Sequence, residues 1–248
     1  MIRASCLAIL AGVLAAGCAS RGPTVDRLGP DELFERGMAS FEAKRWTDAI
    51  RAFDRLILES PSHPRIQEAR FRLAEAYFMR KEYLTAASEF VRLATDYPSG
   101  PWADDARFKV CEAYRQLSPK VQLDQEYTRA AIDHCQSLIT YYPESEYVPR
   151  AQELIRELTE KLADKVYSGG EFYEKRRAYD SAILYFEDVV KEFPRTAAAP
   201  KALLRLVHIY QQLGYAEEAQ AARERLLREY PDTAEAKEAE AISLATAP

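Results

Sequence analysis

Apolar residues recur along this chain at three- and four-residue spacing, the mark of amphipathic helices, and the runs come in pairs. Five runs stop at a proline: Ser60-Pro61, Tyr97-Pro98, Tyr142-Pro143, Phe193-Pro194 and Tyr230-Pro231. Proline ends a helix because it lacks the N–H and its ring clashes with the preceding turn. Twelve residues before each of these prolines stands an alanine: Ala49, Ala86, Ala131, Ala182 and Ala219. Alanine lets two helices approach closely. A close-contact point at a fixed distance from a stop, repeated five times, predicts a repeat protein built only of helices.

The positions between these marks follow the tetratricopeptide pattern, so the predicted fold is an all-α solenoid of five tetratricopeptide-like helix pairs. Repeat one matches at Gly37, Ala49, Phe53 and Pro61, with Leu33 where the pattern has tryptophan. Repeat two matches at Leu73, Ala74, Tyr77, Ala86, Phe90 and Pro98. Repeat three carries Phe108, Cys111 and Tyr114, then Ala131, Cys135 and Leu138, and is stretched by SPKVQLDQEY, an ordered excursion opened by Pro119. Before repeat four, Leu154, Ile155, Leu158 and Leu162 recur at helical spacing. They predict one long helix running on into that repeat, loosened or kinked at Gly169-Gly170. Repeat four has Tyr173, Ala182, Phe186 and Pro194; repeat five has Leu206, Tyr210, Ala219, Leu226 and Pro231, with Arg223 in place of the aromatic. The stops are 37, 45, 51 and 37 residues apart. That unevenness divides the chain into regular N-terminal repeats, 30–117, and stretched C-terminal repeats with the long helix, 118–231. The tail, 232–248, is Ala- and Glu-rich and reads as a frayed capping helix followed by a disordered end.

Residues 1–17 do not fit this pattern. Arg3 is followed by an apolar run, Cys6 to Val13, and then by Leu14-Ala15-Ala16-Gly17-Cys18. That is the layout of a secretory signal: positive start, short apolar core, small residues before the cut. The cysteine after Ala-Gly resembles a bacterial lipobox, although Ala15 stands where leucine is more usual. The implied chemistry is lipid on the Cys18 thiol, cleavage, and acylation of the new amino group, which gives several chains and a stable membrane anchor. Covalent lipid is the only group expected, with no cofactor and no metal. Alanine at position 19 resembles lipoproteins sorted to the outer membrane. Residues 18–29 are then the lipidated cysteine and a polar tether.

Removal of residues 1–17 leaves 33 basic and 39 acidic side chains, a net charge of −6. This balance argues against a nucleic-acid partner, since phosphate binding needs a basic surface. Two cysteines remain besides Cys18. Cys111 and Cys135 fall on the two facing helices of repeat three. In an oxidising compartment they are either two buried thiols or a disulfide.

The combination of a lipidated N-terminus and five such repeats is more specific than the repeat alone. PSGPWADDARF (98–108), LDQEYTRA (123–130), the long helix RAQELIRELTEKLADK and FYEKRRAYDSAILYFEDVVKEFP resemble the BamD family of outer-membrane lipoproteins. That family serves the machine that folds β-barrel proteins into the outer membrane. The resemblance covers nearly the whole mature chain. It implies location at the periplasmic face of the outer membrane, and as partners unfolded outer-membrane proteins and the barrel-forming subunit. Relatives often have Asn-Arg where Leu184-Tyr185 stand here, which touches a polar contact to that subunit.

In such a solenoid the first helix of each repeat lines a groove. The groove-side places are Phe34, Met38 and Phe41, then Phe71, Glu75, Phe78 and Met79, then Phe108, Glu112 and Arg115. Further along they turn polar, with Ser168, Glu171 and Glu174, then His208, Gln211 and Gln212. The apolar members, Phe34, Met38, Phe41, Phe71, Phe78, Met79 and Phe108, are the candidates for holding extended, aromatic-containing segments of unfolded chains. The same spacing also fits a core between helices. For docking the barrel-forming subunit the candidates are Tyr173, Arg176, Arg177 and Tyr185, although a charge run such as EKRR is also what a solvated face looks like.

Catalysis has no support in the sequence. His63, His134 and His208 are scattered, and there is no HExxH, CxxC, phosphate loop or GxSxG. A second function class remains, a periplasmic lipoprotein scaffold for cell-wall or division proteins.

Overall fold

The computed structural model describes residues 28–242; Cys18, the signal and most of the tether lie outside them. Five helix pairs follow one another: α1 (Pro30–Glu42) and α2 (Trp46–Glu59), α3 (Ile66–Met79) and α4 (Tyr83–Asp96), α5 (Ala103–Leu117) and α6 (Glu126–Tyr141), α7 (Val148–Lys175) and α8 (Tyr179–Glu192), α9 (Ala198–Leu213) and α10 (Ala216–Glu229). A short α11 (Ala234–Ala241) packs on α9 and α10. The fold is an all-helical solenoid of tetratricopeptide-like repeats. Each second helix ends one residue before the residue that precedes its stop proline, where Ser60, Tyr97, Tyr142, Phe193 and Tyr230 leave helical geometry. The proline ring forces this on the residue before it. The five alanines are fully buried.

One contact recurs through the array. A small residue on the first helix receives a ring from the second. A Cβ on Gly37 would collide with the Phe53 ring, and one on Gly170 would lie 2.6 Å from the Phe186 ring. Ala74 and Phe90 belong to one core at the same spacing. In repeat three both members are cysteines: Cys111 and Cys135 occupy the small and aromatic places, 24 residues apart, eight more than the other pairs because of the excursion. Their Cα atoms are 4.9 Å apart and the structure joins them by a disulfide, both residues fully buried. In repeat five the places hold Val207 and Arg223. Arg223 turns outward and caps α11, its Nε donating to the Ala239 carbonyl at 2.7 Å.

α7 is continuous across Gly169 and Gly170, so the helix is not interrupted there. The glycines serve close packing instead. Gly169 makes room for Tyr185 as Gly170 does for Phe186, each with ring atoms about where a Cβ would need to be. The excursion is ordered by Gln125, which is buried and donates to the carbonyls of Lys120 (2.9 Å) and Leu123 (3.0 Å). Thr128 donates to Gln125 at 2.7 Å and is bonded to Ser118 at 2.6 Å, which accepts from Lys161 of α7 at 2.7 Å. Lys165 donates to the Gln122 carbonyl at 2.7 Å. Burial pushes the Lys161 ammonium below its ordinary pKa, and Glu157 works against that shift. The long helix thus holds the excursion through two lysines. Cores change along α7 rather than at residue 117: Leu154 packs with Cys111, Cys135 and Leu138, and Ala163 packs with Phe186 and Leu206.

Four turns between paired helices contain a residue in the left-handed region: Lys44, Lys81, Arg177 and Gly214, with φ of 56°, 65°, 59° and 78°. A side chain in that region costs about 1–2 kcal/mol, and glycine adopts it freely at some cost in chain entropy. Arg177→Gly is therefore expected to leave the unfolding free energy unchanged or raise it, by about 1 kcal/mol at most. A calorimetric scan showing clear destabilisation would reveal a structural role for the Arg177 side chain.

Candidate protein-binding surfaces

The first helices of repeats one to four carry an aromatic one turn before the close-contact position, where repeat five has Leu204. In repeats one to three these are Phe34, Phe71 and Phe108. They do not line a groove. Their exposures are 1%, 3% and 6%. Each is covered by the residue four places after a stop proline, in the turn that opens the next repeat. The Arg65 guanidinium lies 3.7 Å from the Phe34 ring centre, Trp102 stands 4.7 Å from Phe71, and Tyr147 stacks on Phe108 at 4.7 Å. His63 adds a second layer on Phe34 at 5.9 Å. These three phenylalanines are core, and they are removed from the candidate binding set.

Met38, Phe41, Phe78 and Met79 remain accessible to different degrees, Met79 most at 52% exposed. Phe41 meets Trp46 edge-on at 5.1 Å, and Phe78 meets Tyr83 in the same way at the same distance. Charged side chains are interleaved. Arg72 lies within 5.3–5.8 Å of Phe41, Phe71 and Trp102 and pairs with Glu75. Lys109 lies 5.6 Å from Phe78 and pairs with Glu112 at 2.7 Å. The N-terminal surface is thus aromatic, methionine-bearing and internally charge-neutralised. Such a surface takes apolar side chains without demanding a charged partner.

The second surface lies where α7 meets α8. Tyr173 and Tyr185 have ring centres 5.3 Å apart, and Phe172 meets Tyr173 edge-on at 5.3 Å. Arg176 covers Phe172 at 3.6 Å. Leu184 stands 63% exposed beside Tyr185. Three of the four predicted docking residues, Tyr173, Arg176 and Tyr185, therefore come together, with Phe172 and Leu184 added. Arg177 occupies the adjoining left-handed turn. Phe172 was hidden in the sequence because Tyr173 holds the pattern position; an aromatic pair at a helix end was its only signal. Among the described residues no His, Cys, Asp and Glu side chains gather as a metal site.

The motifs that single out this chain act as ties between repeats. Asp104 accepts from Ser145 at 2.8 Å and Asp105 from the Tyr147 hydroxyl at 2.6 Å. The bond to Asp105, with burial, raises the Tyr147 phenol above its ordinary pKa. Tyr142 donates to the Pro98 carbonyl at 2.9 Å, and Tyr230 repeats this on Pro194 at 2.7 Å. The family profile described as YfiO, outer membrane lipoprotein, matches residues 27–226. The chain belongs to this family of outer membrane lipoproteins. It is 25% identical over 226 residues to the outer membrane protein assembly factor BamD of Rickettsia prowazekii, covering 91% of this chain and 90% of that one. To BamD of Vibrio cholerae it is 35% identical over 79 residues, 32% and 33% of the two chains. A solved TPR repeats protein of Bacteroides fragilis superimposes with a TM-score of 0.48 at 13% identity, covering 86% and 96%. The family match takes in both surfaces, the excursion and the long helix, and leaves α11 beyond its end.

Proposed function

We propose that this chain is a lipid-anchored, non-enzymatic subunit of the outer-membrane β-barrel assembly machinery. In this reading Cys18 carries the lipid and holds the repeats at the periplasmic face of the outer membrane. The accessible N-terminal surface around Met38, Phe41, Phe78 and Met79 receives apolar segments of unfolded outer-membrane proteins. The patch of Phe172, Tyr173, Arg176, Leu184 and Tyr185 docks the barrel-forming subunit. The observation that carries the reading is the family match over residues 27–226, joined to likeness with one assembly factor over nearly the full length. The two apolar surfaces, in separate repeats, are what a protein needs to hold a client and a partner together.

Affinity purification of the full-length lipoprotein from detergent-solubilised envelopes tests this. Leu184→Glu places a charge in the docking patch and is expected to reduce co-purified barrel-forming subunit about tenfold, the effect of roughly 1.4 kcal/mol. Phe78→Glu is expected to keep that subunit and lose photo-crosslinks to unfolded barrel proteins. Recovery of cell-wall synthases in place of a barrel subunit would overturn the reading.

A further inference from the structure

In repeats one and two, helices of similar length stack along their whole extent: α1 and α2 have 13 and 14 residues, α3 and α4 have 14 each. α7 has 28 residues and α8 only 14. α8 lies against the second half of α7, seating Tyr185 and Phe186 on Gly169 and Gly170. The chain leaving α8 reaches back only to Glu160, whose carboxylate accepts the Ala197 N–H at 3.0 Å. The first half of α7 therefore keeps one face, beside α6, without the second helix that the other repeats place there. A cleft of about 500 Å³ marks it, with Ile139 and Ile155 as apolar floor and Gln152, Arg156, Glu160 and Arg195 around it.

The cleft holds two guanidiniums, Arg156 and Arg195, against one carboxylate, Glu160. Arg156 and Arg195 are exposed and have no ion pair among the described residues. The carboxylates on this half of α7 are engaged: Glu153 with Arg150, Glu157 with Arg115 at 2.8 Å, and Glu160, the one that lines the cleft, with the Ala197 N–H. Two free guanidiniums thus flank an apolar floor in a chain whose overall charge is negative. Planar guanidiniums favour carboxylates, which they can bind through two parallel hydrogen bonds.

We propose that this cleft receives an acidic amphipathic helix of a partner protein, stacked on α6 and α7 in the place of the missing second helix. The uncovered half of α7 is about 21 Å long at 1.5 Å per residue, room for a helix of about four turns. Its apolar stripe rests on Ile139 and Ile155, and its carboxylates meet Arg156 and Arg195. This is the helix-in-groove mode of recognition. The surface is separate from the aromatic patch on α7 and α8, and it does not depend on what that patch binds.

The test uses the full-length lipoprotein in its own cells, with a photo-reactive benzoylphenylalanine at Gln152, or at Leu184 as a control. Mass spectrometry of the Gln152 adduct is expected to identify a segment with apolar residues at helical spacing and at least two carboxylates. Arg156→Glu with Arg195→Glu, and the same pair changed to glutamine, should cut that adduct at least tenfold while the Leu184 adduct persists. A synthetic peptide of the segment should bind the detergent-solubilised protein, lose binding when its acids are changed to lysine, and regain it on the Arg→Glu variant. Absence of an adduct at Gln152, an adduct to a basic segment, to lipid or to a second copy of this chain, or indifference to the glutamine pair overturns the proposal. Loss of the Leu184 adduct alone bears on the proposed docking patch and leaves the cleft standing.

Discussion

Reduction of the Cys111–Cys135 disulfide lowers the unfolding free energy by about 3.5 kcal/mol, as expected for opening a loop closed across 24 residues. In a chain of this length that moves the thermal midpoint down by roughly 10 °C. The two residues are completely buried, so reduction acts mainly after partial unfolding and is slow in the native protein. Scanning calorimetry with and without reductant measures the difference. Cys111→Ala with Cys135→Ala should melt at the reduced temperature in both conditions. Two equal midpoints for the wild type would sink the idea. Cys111→Gly with Cys135→Phe is the sharper variant. It restores the pairing of Gly37 with Phe53 and of Gly170 with Phe186, in which a ring fills the space that a glycine leaves. It is expected to be more stable than the alanine pair and insensitive to reductant. If it is less stable, the space around Phe108, Leu138 and Ile155 has closed over the smaller cysteines, and the disulfide and the ring are not interchangeable.

The helices and their order were legible because proline and alanine act locally. A stop at Pro98 needs no knowledge of what surrounds it, and an alanine at a crossing needs only a neighbouring helix. The burial of Phe34, Phe71 and Phe108 was not legible in the same way. Their covers are chemically unlike one another, namely Arg65, Trp102 and Tyr147, and share only their place four residues after a stop. A reader looking for apolar spacing passes over an arginine. The groove was therefore expected to be richer in phenylalanine than it is. What remains, Met38, Phe41, Phe78 and Met79, is a smaller surface whose ion pairs cancel its charge.

The docking patch shows the opposite case. Tyr173 and Tyr185 are candidates by position, and their pairing across α7 and α8 follows from Gly169, which in sequence reads as a weak point in the helix. A glycine without a side chain is ambiguous in sequence: it can mark flexibility or close contact. Only the partner helix distinguishes the two. The long α7 reads in sequence as one helix running on into repeat four, as the structure has it, and packing gives it a second role, the support of the excursion. Its length, against the 14 residues of α8, then creates the uncovered face that no motif announces.

Phe186→Ala destabilises the protein by about 3–5 kcal/mol, the cost of emptying a fully buried aromatic site. The informative step is to add Gly170→Ala. In the wild type the new methyl group lies 2.6 Å from the Phe186 ring, and the ring is enclosed, so it cannot move away without disturbing its neighbours. Overpacking of this kind costs about 1–3 kcal/mol, against which the better helix propensity of alanine returns roughly 0.5–1 kcal/mol. The net effect of Gly170→Ala in the wild type is a loss. Once Phe186 is alanine the collision is gone and only the propensity gain remains, so the same substitution becomes stabilising by about 1 kcal/mol. The two changes thus couple by about 2 kcal/mol, the range found for residues in direct contact. Urea melts of the four proteins give the cycle. A glycine that served as a hinge would yield a gain from alanine in both backgrounds, so the sign of Gly170→Ala in the wild type decides between a flexible joint and a packing site.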